Sequence, residues 1–307
     1  MTPIFAPPAV WRECFAREMP EVELRFWPEA GNRDEIEAVA ISKLPDNALR
    51  SFPNLRLIVS LFAGQNMLLE DKTIPPGIPI VRAANPKGDA MMTETALLHV
   101  LRHHRHLPDL ALAQQQGEWR QAQAARVRTQ DRKVGVMGLG PIGLAAAQAL
   151  RGIGFQVAAW VRRPRVVEGI EIFAGTDQLL EFLKRSEILV NLLPHTPATA
   201  DIINHETLAQ LPKNASVINL GRGEQVVDAD LIVALDSGHI NSATLDVFRQ
   251  EPLPKEHPFW KHPRITVLPH ASRGQFPAII TPLICVHLRR LQRGEPIVDR
   301  VDPAAGY

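Results

Sequence analysis

Short apolar runs alternate along the chain with amphipathic segments of helical periodicity. In the first third, runs of strand length bounded by turn residues predict strands at 22–27, 36–42, 55–64 and 79–83. The segment 91–117 has helical periodicity instead, and Pro108 predicts a break or kink within it. The chain is therefore expected to begin with strands and to continue into a long helical region.

The alternation is more regular from residue 133 onward. Strands are predicted at 133–137, 156–161, 187–194, 215–220, 243–248 and 264–270. Helices are predicted at 141–152, 177–186, 205–212 and 228–238, with Asp228 as the N-cap of the last, and an amphipathic helix with a tail at 279–307. Apolar strands that alternate with short helices indicate the α/β class, with a parallel, doubly wound sheet covered on both faces.

Length and composition fit a protein of two globular domains. The chain has 307 residues, of which 45% are hydrophobic and 22% charged, which is ordinary for a protein with a large core. A formal net charge of +1 gives no overall field to hold nucleic acid or an anionic membrane, so neither is expected as a partner. Two cysteines are too few for a disulfide framework, and no signal-like or membrane-spanning run is present, so we expect a cytoplasmic protein.

A glycine array follows the strand 133–137 and opens the helix 141–152. Gly138, Gly140 and Gly143 form a GxGxxG pattern. In a dinucleotide site the first glycine permits a tight turn, the second admits the pyrophosphate, and the third lets the helix lie close to the sheet. Because a strand, a helix and a second strand surround the array at the right distances, we favour a dinucleotide site over a purely structural turn.

The stretch WVRRP at 160–164 indicates which dinucleotide would bind. In an NAD site an acidic residue about 20 positions after the glycines binds the ribose 2′-hydroxyl, and here that position falls near Val161. Arg162 and Arg163 follow, and guanidinium groups pair well with a 2′-phosphate. We therefore expect NADP(H), with NAD(H) as the alternative; the arginines could instead only solvate the strand end.

Three later strand ends carry polar residues in apolar surroundings: Arg222, Glu251 and His270. A 2-oxo acid reductase needs an arginine for the substrate carboxylate and a histidine that protonates the carbonyl oxygen as hydride arrives. A carboxylate beside the imidazole would orient it and favour its charged form. Asp246 could accept a hydrogen bond from a nicotinamide carboxamide. Taken singly, Glu251 and His270 could be a loop acid and a strand cap.

In their order and spacing, the motifs GLGPIG, NLGRGEQVVD, LDVFRQEPLP and VLPH resemble those of the D-isomer-specific 2-hydroxyacid dehydrogenase family, from about residue 55 to the C-terminus. The resemblance implies catalytic roles for Arg222, Glu251 and His270. It also implies that backbone N–H groups of Ala63 and Gly64 bind the substrate carboxylate. The residues expected at the cofactor are Gly138, Gly140, Pro141, Ile142, Gly143, Trp160, Arg162, Arg163, Leu193, Pro194, Thr199, Leu220 and Asp246.

The same resemblance implies the organisation of the molecule. It predicts two doubly wound domains: a flavodoxin-like substrate domain at 1–98 plus 279–307, and a Rossmann dinucleotide-binding domain at 99–278. The expected protein is a homodimer that reduces small 2-oxo acids such as glyoxylate and hydroxypyruvate.

Two other functions remain open at this point, an NAD-dependent D-2-hydroxyacid dehydrogenase and a dinucleotide-sensing, corepressor-like binding protein. His99 and His103 lie four residues apart, a spacing that can bind zinc, but nothing nearby completes a ligand set and a solvated or interface helix face is favoured. His195 is expected to line the cofactor cleft without reacting.

Overall fold

The computed structural model of the protein describes residues 1, 6–41, 44–45, 47–61, 68, 71, 73–83, 89–121, 127–274 and 276–302. The chain divides into two compact units, Met1–Asn85 with Gly274–Tyr307, and Pro86–Arg273. The predicted domain limits near 98 and 279 fall within two helices, Ala90–His104 and Pro277–Gln292. Which domain binds substrate and which binds dinucleotide stays a prediction at this point.

A parallel sheet forms the centre of the first unit. Its strands are β1 (Ala38–Ile41), β2 (Leu57–Ser60) and β3 (Ile80–Arg82), in the order β1-β2-β3. Helix α1 (Pro8–Glu18) packs on the C-terminal helix α8 (Pro277–Gln292), and the two bury apolar side chains against the sheet. The strands predicted at 36–42, 55–64 and 79–83 are confirmed.

The strand predicted at 22–27 is wrong. The segment forms no strand, and its backbone bonds to the start of the chain: Trp27 N–H donates to the carbonyl oxygen of Met1 at 2.9 Å. The guanidinium of Arg25 turns back onto the carboxylates of Glu23 and Glu35. The alternation of apolar and charged residues therefore reflects a loop that buries Phe26 and not a half-buried strand.

The second unit is built on a parallel sheet with the order β10-β9-β8-β7-β4-β5-β6. Its strands are β4 (Lys133–Met137), β5 (Gln156–Val161), β6 (Glu171–Ala174), β7 (Ile188–Asn191), β8 (Ala215–Asn219), β9 (Ile240–Leu245) and β10 (Ile265–Val267). All are parallel to their neighbours. Sequence reasoning missed β6, which is short and only partly buried at the sheet edge. The chain is thus α/β, as predicted.

Helices cover both faces of this sheet, which has one apolar cluster on each side. They are α2 (Ala90–His104), α3 (Leu107–Gln115), α4 (Pro141–Gly152), α5 (Leu179–Arg185), α6 (His205–Gln210) and α7 (Asp228–Asp236). Short 3₁₀ turns occur at Arg33–Glu35, Ala48–Ser51, Thr129–Asp131, Thr176–Gln178, Gly223–Gln225 and Pro258–Trp260.

The helix ends follow ordinary local rules, with one correction. The carboxylate of Asp89 caps α2 by accepting from Met92 N–H at 3.1 Å. The break near Pro108 is confirmed, because His106 has a left-handed φ of 55° and Pro108 lies in the first turn of α3. Asp228 as an N-cap is wrong, because Val227 occupies that position and Asp228 is the first residue of α7.

The histidines of α2 are buried and not solvated. His99 and His103 are 5% and 4% exposed. The two ring nitrogens of His103 lie 2.9 Å from the hydroxyls of Ser242 and Thr244 on β9. Burial lowers the pKa of His103 to about 3. Both histidines are buried within the chain itself, so the expectation of a solvated or interface helix face is wrong for them.

Two further properties concern the described residues alone. Among them, no cluster of three or more histidine, cysteine, aspartate or glutamate side chains could hold a metal ion. Nor does any helix there have the length and apolar character that crossing a membrane requires.

Candidate active site

The strand order of the second unit reverses its winding direction between β4 and β7. From β4 the chain winds outward through β5 and β6, then returns to the other side of β4 as β7 and continues to β10. In open α/β sheets, ligands bind where the winding direction reverses in this way. The loops that follow β4, β5, β7, β8, β9 and β10 all lie at this edge of the sheet.

The glycine loop after β4 has the geometry that a dinucleotide requires. Gly138 has a φ of 92°, and its N–H donates to the carbonyl oxygen of Trp160 at 3.0 Å. A Cβ on Gly143 would lie 1.9 Å from the carbonyl oxygen of Gly138, so only glycine lets α4 lie this close to the loop. A Cβ on Gly140 would meet nothing within 4 Å, which leaves open space beside the helix N-terminus.

Helix α4 itself favours an anion at this place. It begins at Pro141, which has no N–H, and no side chain caps its first turn. Its orphan N–H groups and positive dipole end therefore face the space beside Gly140. The side chain of Ile142 is half-buried and packs against the sheet. These residues fit the pyrophosphate of a dinucleotide.

The end of β5 presents arginines to solvent. Val161 is 7% exposed, whereas Arg162 and Arg163 are exposed. Trp160 is buried in the core, and its indole N–H donates to the carbonyl oxygen of Gly175 at 2.7 Å. Any contact of Trp160 with a cofactor therefore runs through its backbone or its partly exposed edge.

Sequence reasoning missed Arg165 in this segment. Its guanidinium donates from Nη1 to the carbonyl oxygen of Leu139 at 2.8 Å, within the glycine loop. The sequence did contain a signal for this contact, because Arg165 is the third arginine of the segment WVRRPR. The contact ties the arginine segment to the loop that would hold the pyrophosphate.

His270 and Glu251 come together as the sequence suggested. Nδ1 of His270 lies 2.7 Å from Oε2 of Glu251, and Oε1 of Glu251 accepts from Phe248 N–H at 2.9 Å. The carboxylate is thus held by its own loop and faces the imidazole. Since Glu251 can accept but not donate when ionised, it selects the tautomer with hydrogen on Nδ1 and leaves Nε2 for substrate.

The backbone of His270 is held in a left-handed conformation, with a φ of 51°. Its N–H donates to the carbonyl oxygen of Asp246 at 2.9 Å. The buried carboxylate of Asp246 accepts from the N–H groups of Ala271 at 2.8 Å and Ser272 at 3.3 Å. Asp246, expected at the nicotinamide, therefore also anchors the turn that presents the histidine.

Arg222 lies in the loop after β8 and is half-buried. Its Nη1 donates to the carbonyl oxygen of Gly221 at 2.7 Å. Burial lowers the pKa of Arg222, while the charges of Glu224 and Glu251 act to raise it. An arginine remains protonated under such shifts, so the loop presents a partly desolvated cation.

The other residues expected at the cofactor lie in the loops after β7 and β8. Thr199 is buried, and its hydroxyl donates to the carbonyl oxygen of Pro194 at 2.7 Å, which closes that loop. The side chains of Leu193 and Leu220 are buried in the two cores, so these residues can offer only backbone or an edge to a ligand. Ala63 and Gly64 lie outside the described residues.

The arrangement suits proton transfer beside a bound anion. An imidazole paired with a carboxylate can hold a proton on Nδ1 and donate or accept one at Nε2. The glycine loop and α4 can hold a dinucleotide at the same sheet edge.

The family model described as "D-isomer specific 2-hydroxyacid dehydrogenase, NAD binding domain" matches residues 97–272. The chain belongs to this family.

Similar proteins of known name support the assignment. The chain is 36% identical to glyoxylate/hydroxypyruvate reductase A of Serratia proteamaculans (strain 568), over 97% of this chain and 96% of that one. A family member from Xanthobacter autotrophicus Py2, solved with NADPH and MES, has a TM-score of 0.93 at 37% identity, covering 100% of this chain and 98% of that one. An NADPH-dependent glyoxylate/hydroxypyruvate reductase from Sinorhizobium meliloti was solved with NADP and sulfate. It has a TM-score of 0.88 at 32% identity, and the match covers 98% of this chain and 97% of that one.

Membership establishes the broad activity. The protein is an NAD(P)-dependent 2-hydroxyacid dehydrogenase, and the residues matched by the family's NAD-binding-domain model, 97–272, lie within the second unit.

Proposed function

We propose that the protein reduces glyoxylate and hydroxypyruvate to the corresponding 2-hydroxy acids with NADPH, and that His270 is the proton donor. The observation that carries the proposal is the 2.7 Å hydrogen bond between His270 Nδ1 and Glu251 Oε2. The exposed Arg162 and Arg163 at the end of β5, where a buried Val161 replaces an acid, support NADPH. The relatives that bear this activity in their names and the structures that contain NADPH or NADP are consistent with it.

The residues divide the reaction between them. NADPH, when bound, supplies a hydride to the carbonyl carbon. Arg222 holds the substrate carboxylate and draws electron density from the adjacent carbonyl. His270 in its charged form donates the Nε2 proton to the carbonyl oxygen as the new C–H bond forms, so that the product is a hydroxyl. Glu251 accepts from Nδ1 of the imidazole and keeps the ring oriented for the transfer.

The direct test follows absorbance of the reduced nicotinamide with a panel of 2-oxo acids, each with NADPH and with NADH. We expect turnover with glyoxylate and hydroxypyruvate and a higher kcat/KM with NADPH. His270→Ala should lower kcat by roughly a hundredfold or more while the Kd for NADPH changes little.

Three outcomes contradict the proposal. Turnover of other 2-oxo acids only, with NADH preferred, identifies an NAD-dependent dehydrogenase of different substrate. Tight dinucleotide binding without turnover of any 2-oxo acid identifies a sensing protein. An equal loss of NADPH affinity in His270→Ala would show that the histidine belongs to the cofactor site.

We further propose that the protein is a homodimer that associates through α2 and α3. These helices and the segment after them expose large apolar side chains: Leu98 is 62% exposed, Leu107 48% and Trp119 89%. Several such side chains on neighbouring elements are typical of an interaction surface, whereas single ones are not.

A further inference from the structure

Three amide side chains, those of Asn191, Asn219 and Gln225, form a network at the carboxyl ends of β7 and β8. All three residues are 0% exposed. Nδ2 of Asn191 donates to Oδ1 of Asn219 at 2.9 Å and to Oε1 of Gln225 at 2.7 Å. Sequence reasoning passed over them, because a single amide in a buried strand end carries no signature of its own.

The network also bonds to the backbone of two loops. Oε1 of Gln225 accepts from Arg222 N–H at 2.8 Å, and Nδ2 of Asn219 donates to the carbonyl oxygen of Arg222 at 3.0 Å. Nε2 of Gln225 donates to the carbonyl oxygens of Leu193 at 3.2 Å and Pro194 at 3.0 Å. Both peptide groups flanking Arg222 are therefore held to the loop after β7.

Packing leaves this arrangement little room to vary. A Cβ on Gly221 would lie 2.4 Å from Oε1 of Gln225, and one on Gly223 would lie 1.9 Å from the backbone carbon of Phe248. Gly221 N–H donates to Oδ1 of Asn219 at 3.2 Å. The backbone on either side of Arg222 is thus close-packed and hydrogen-bonded, while its guanidinium extends from a fixed base.

We propose that Gln225 is a positioning residue for the reaction. Its Oε1 holds Arg222 N–H directly, Asn191 links it to Asn219, which holds the carbonyl oxygen of Arg222, and its Nε2 binds this backbone to the loop after β7. The backbone from which Arg222 reaches the substrate carboxylate is thereby fixed. This inference rests on the proposed role of Arg222 in binding substrate. It predicts that the amide of Gln225 acts on substrate turnover, and not only on the stability of the fold.

Gln225→Glu provides the sharpest test, because the carboxyl group has nearly the shape of the amide and protonation alone decides whether it can still donate a hydrogen bond. A protonated carboxyl can accept from Arg222 N–H and donate to a loop carbonyl, as the amide does, whereas a carboxylate would face the carbonyl oxygens of Leu193 and Pro194 with negative charge. Burial raises the pKa of such a carboxyl above its ordinary value. The kcat/KM of the variant relative to the native enzyme should therefore be highest at low pH and fall as pH rises.

Other titratable groups lie near this position and must be separated from it. The charges of Glu224, Glu251 and Arg273 act on Arg222, and His195 follows Pro194 in the β7 loop. The hydrogen bonds of the Gln225 amide run instead to Asn191, to Arg222 N–H and to the carbonyl oxygens of Leu193 and Pro194. All of these titratable groups are present in both enzymes, so the ratio of the two pH profiles cancels their own titration to first order.

Gln225→Met matches the side chain in size and removes the hydrogen bonds at every pH. We expect kcat/KM for glyoxylate to fall roughly ten- to a hundredfold, because small misplacements of a substrate-binding group cost this much.

Ser186→Ala is the matched control. Ser186 is also 0% exposed, lies near the amino end of β7, and donates to the carbonyl oxygen of Phe182 at 2.7 Å. It should lose stability and retain native kcat/KM.

A double-mutant cycle decides whether Gln225 acts through Arg222. In an Arg222→Ala background, Gln225→Met should lower kcat/KM much less than in the native enzyme, because the group it positions is already gone. Additive losses, a pH-independent Gln225→Glu ratio, or native kcat/KM in folded Gln225→Met would each overturn the proposal. Failure of the proposed function is seen separately, as absent 2-oxo acid turnover in the native enzyme.

Discussion

At the scale of single residues, the proposed contact with the 2′-phosphate of NADPH rests on Arg162 and Arg163. Both are exposed directly after β5. Replacing both by serine should lower kcat/KM with NADPH by roughly tenfold or more, since hydrogen bonds between charged groups contribute about 1.5–3 kcal/mol each. NADH lacks the 2′-phosphate and is the control in the same assay. A parallel loss with both cofactors would mean that the arginines support the fold and not the phosphate.

His103 makes stability depend on pH. Its pKa is lowered from 6.5 to about 3 because it is buried between the hydroxyls of Ser242 and Thr244. Below pH 6.5 the unfolded chain binds the proton and the folded one does not, so the free energy of unfolding falls as pH decreases from there toward about 3.

Urea denaturation at pH 7 and pH 5 measures this contribution. We expect the decrease in unfolding free energy between the two to be smaller by about 2 kcal/mol in His103→Gln, whose amide can still bond to the hydroxyls without titrating. An unchanged decrease would assign the effect to other groups.

Residue types alone were enough to nominate the reacting groups. Arg222 between two glycines, Glu251 before a proline and His270 at a strand end are chemically conspicuous, and the structure brings His270 and Glu251 into contact. Gln225 was not nominated, because an amide matters only through the groups around it, and most of these lie at the end of β7 and in the loop after it, about 30 residues earlier in the chain. The roles of all these residues stay predictions.

At the scale of elements, the close approach of α4 to the glycine loop is the most constrained contact. Gly143→Ala would place a Cβ 1.9 Å from the carbonyl oxygen of Gly138, so the helix must move away from the sheet. We expect a lower Tm and a weaker Kd for NADPH, measured by thermal denaturation and by nicotinamide fluorescence.

Gly152→Ala is the control on the same helix. A Cβ there would meet nothing within 4 Å, and alanine favours a helix over glycine by about 0.5–1 kcal/mol, so this variant should be slightly more stable and bind NADPH normally. Equal behaviour of the two variants would contradict the steric explanation.

Periodicity predicted elements well where a strand is buried on both faces or a helix is buried on one. Strands β4, β5, β7 and β8 and helix α4 lie where the pattern placed them, because continuous apolar runs mark central parallel strands. It failed for 22–27, whose alternation belongs to a loop, and for β6, whose side chains at the sheet edge are only half-buried.

At the scale of the whole molecule, association through α2 and α3 can be tested directly. Leu98 is a 62% exposed apolar side chain of the proposed interface. Leu98→Glu replaces it with a charged one, so size-exclusion chromatography with light scattering should show a monomer in place of the dimer. Val233→Glu, at a 67% exposed position on α7, should leave the mass unchanged. A native monomer, or a dimer in both variants, would show that this surface is not the interface.

The sequence by itself determined the α/β class, the glycine loop, the arginines after β5 and the types of reacting residue, because each is expressed in local periodicity or in a short motif. The tertiary structure decided which strand ends meet, that His103 is buried between hydroxyls, and that buried amides hold the loop of Arg222. These properties depend on contacts between β4, β7, β8 and β9, and β7 lies beside β4 in the sheet although β5 and β6 come between them along the chain. Local pattern carries no information about such contacts, since it records the environment of a residue and not the identity of its partner.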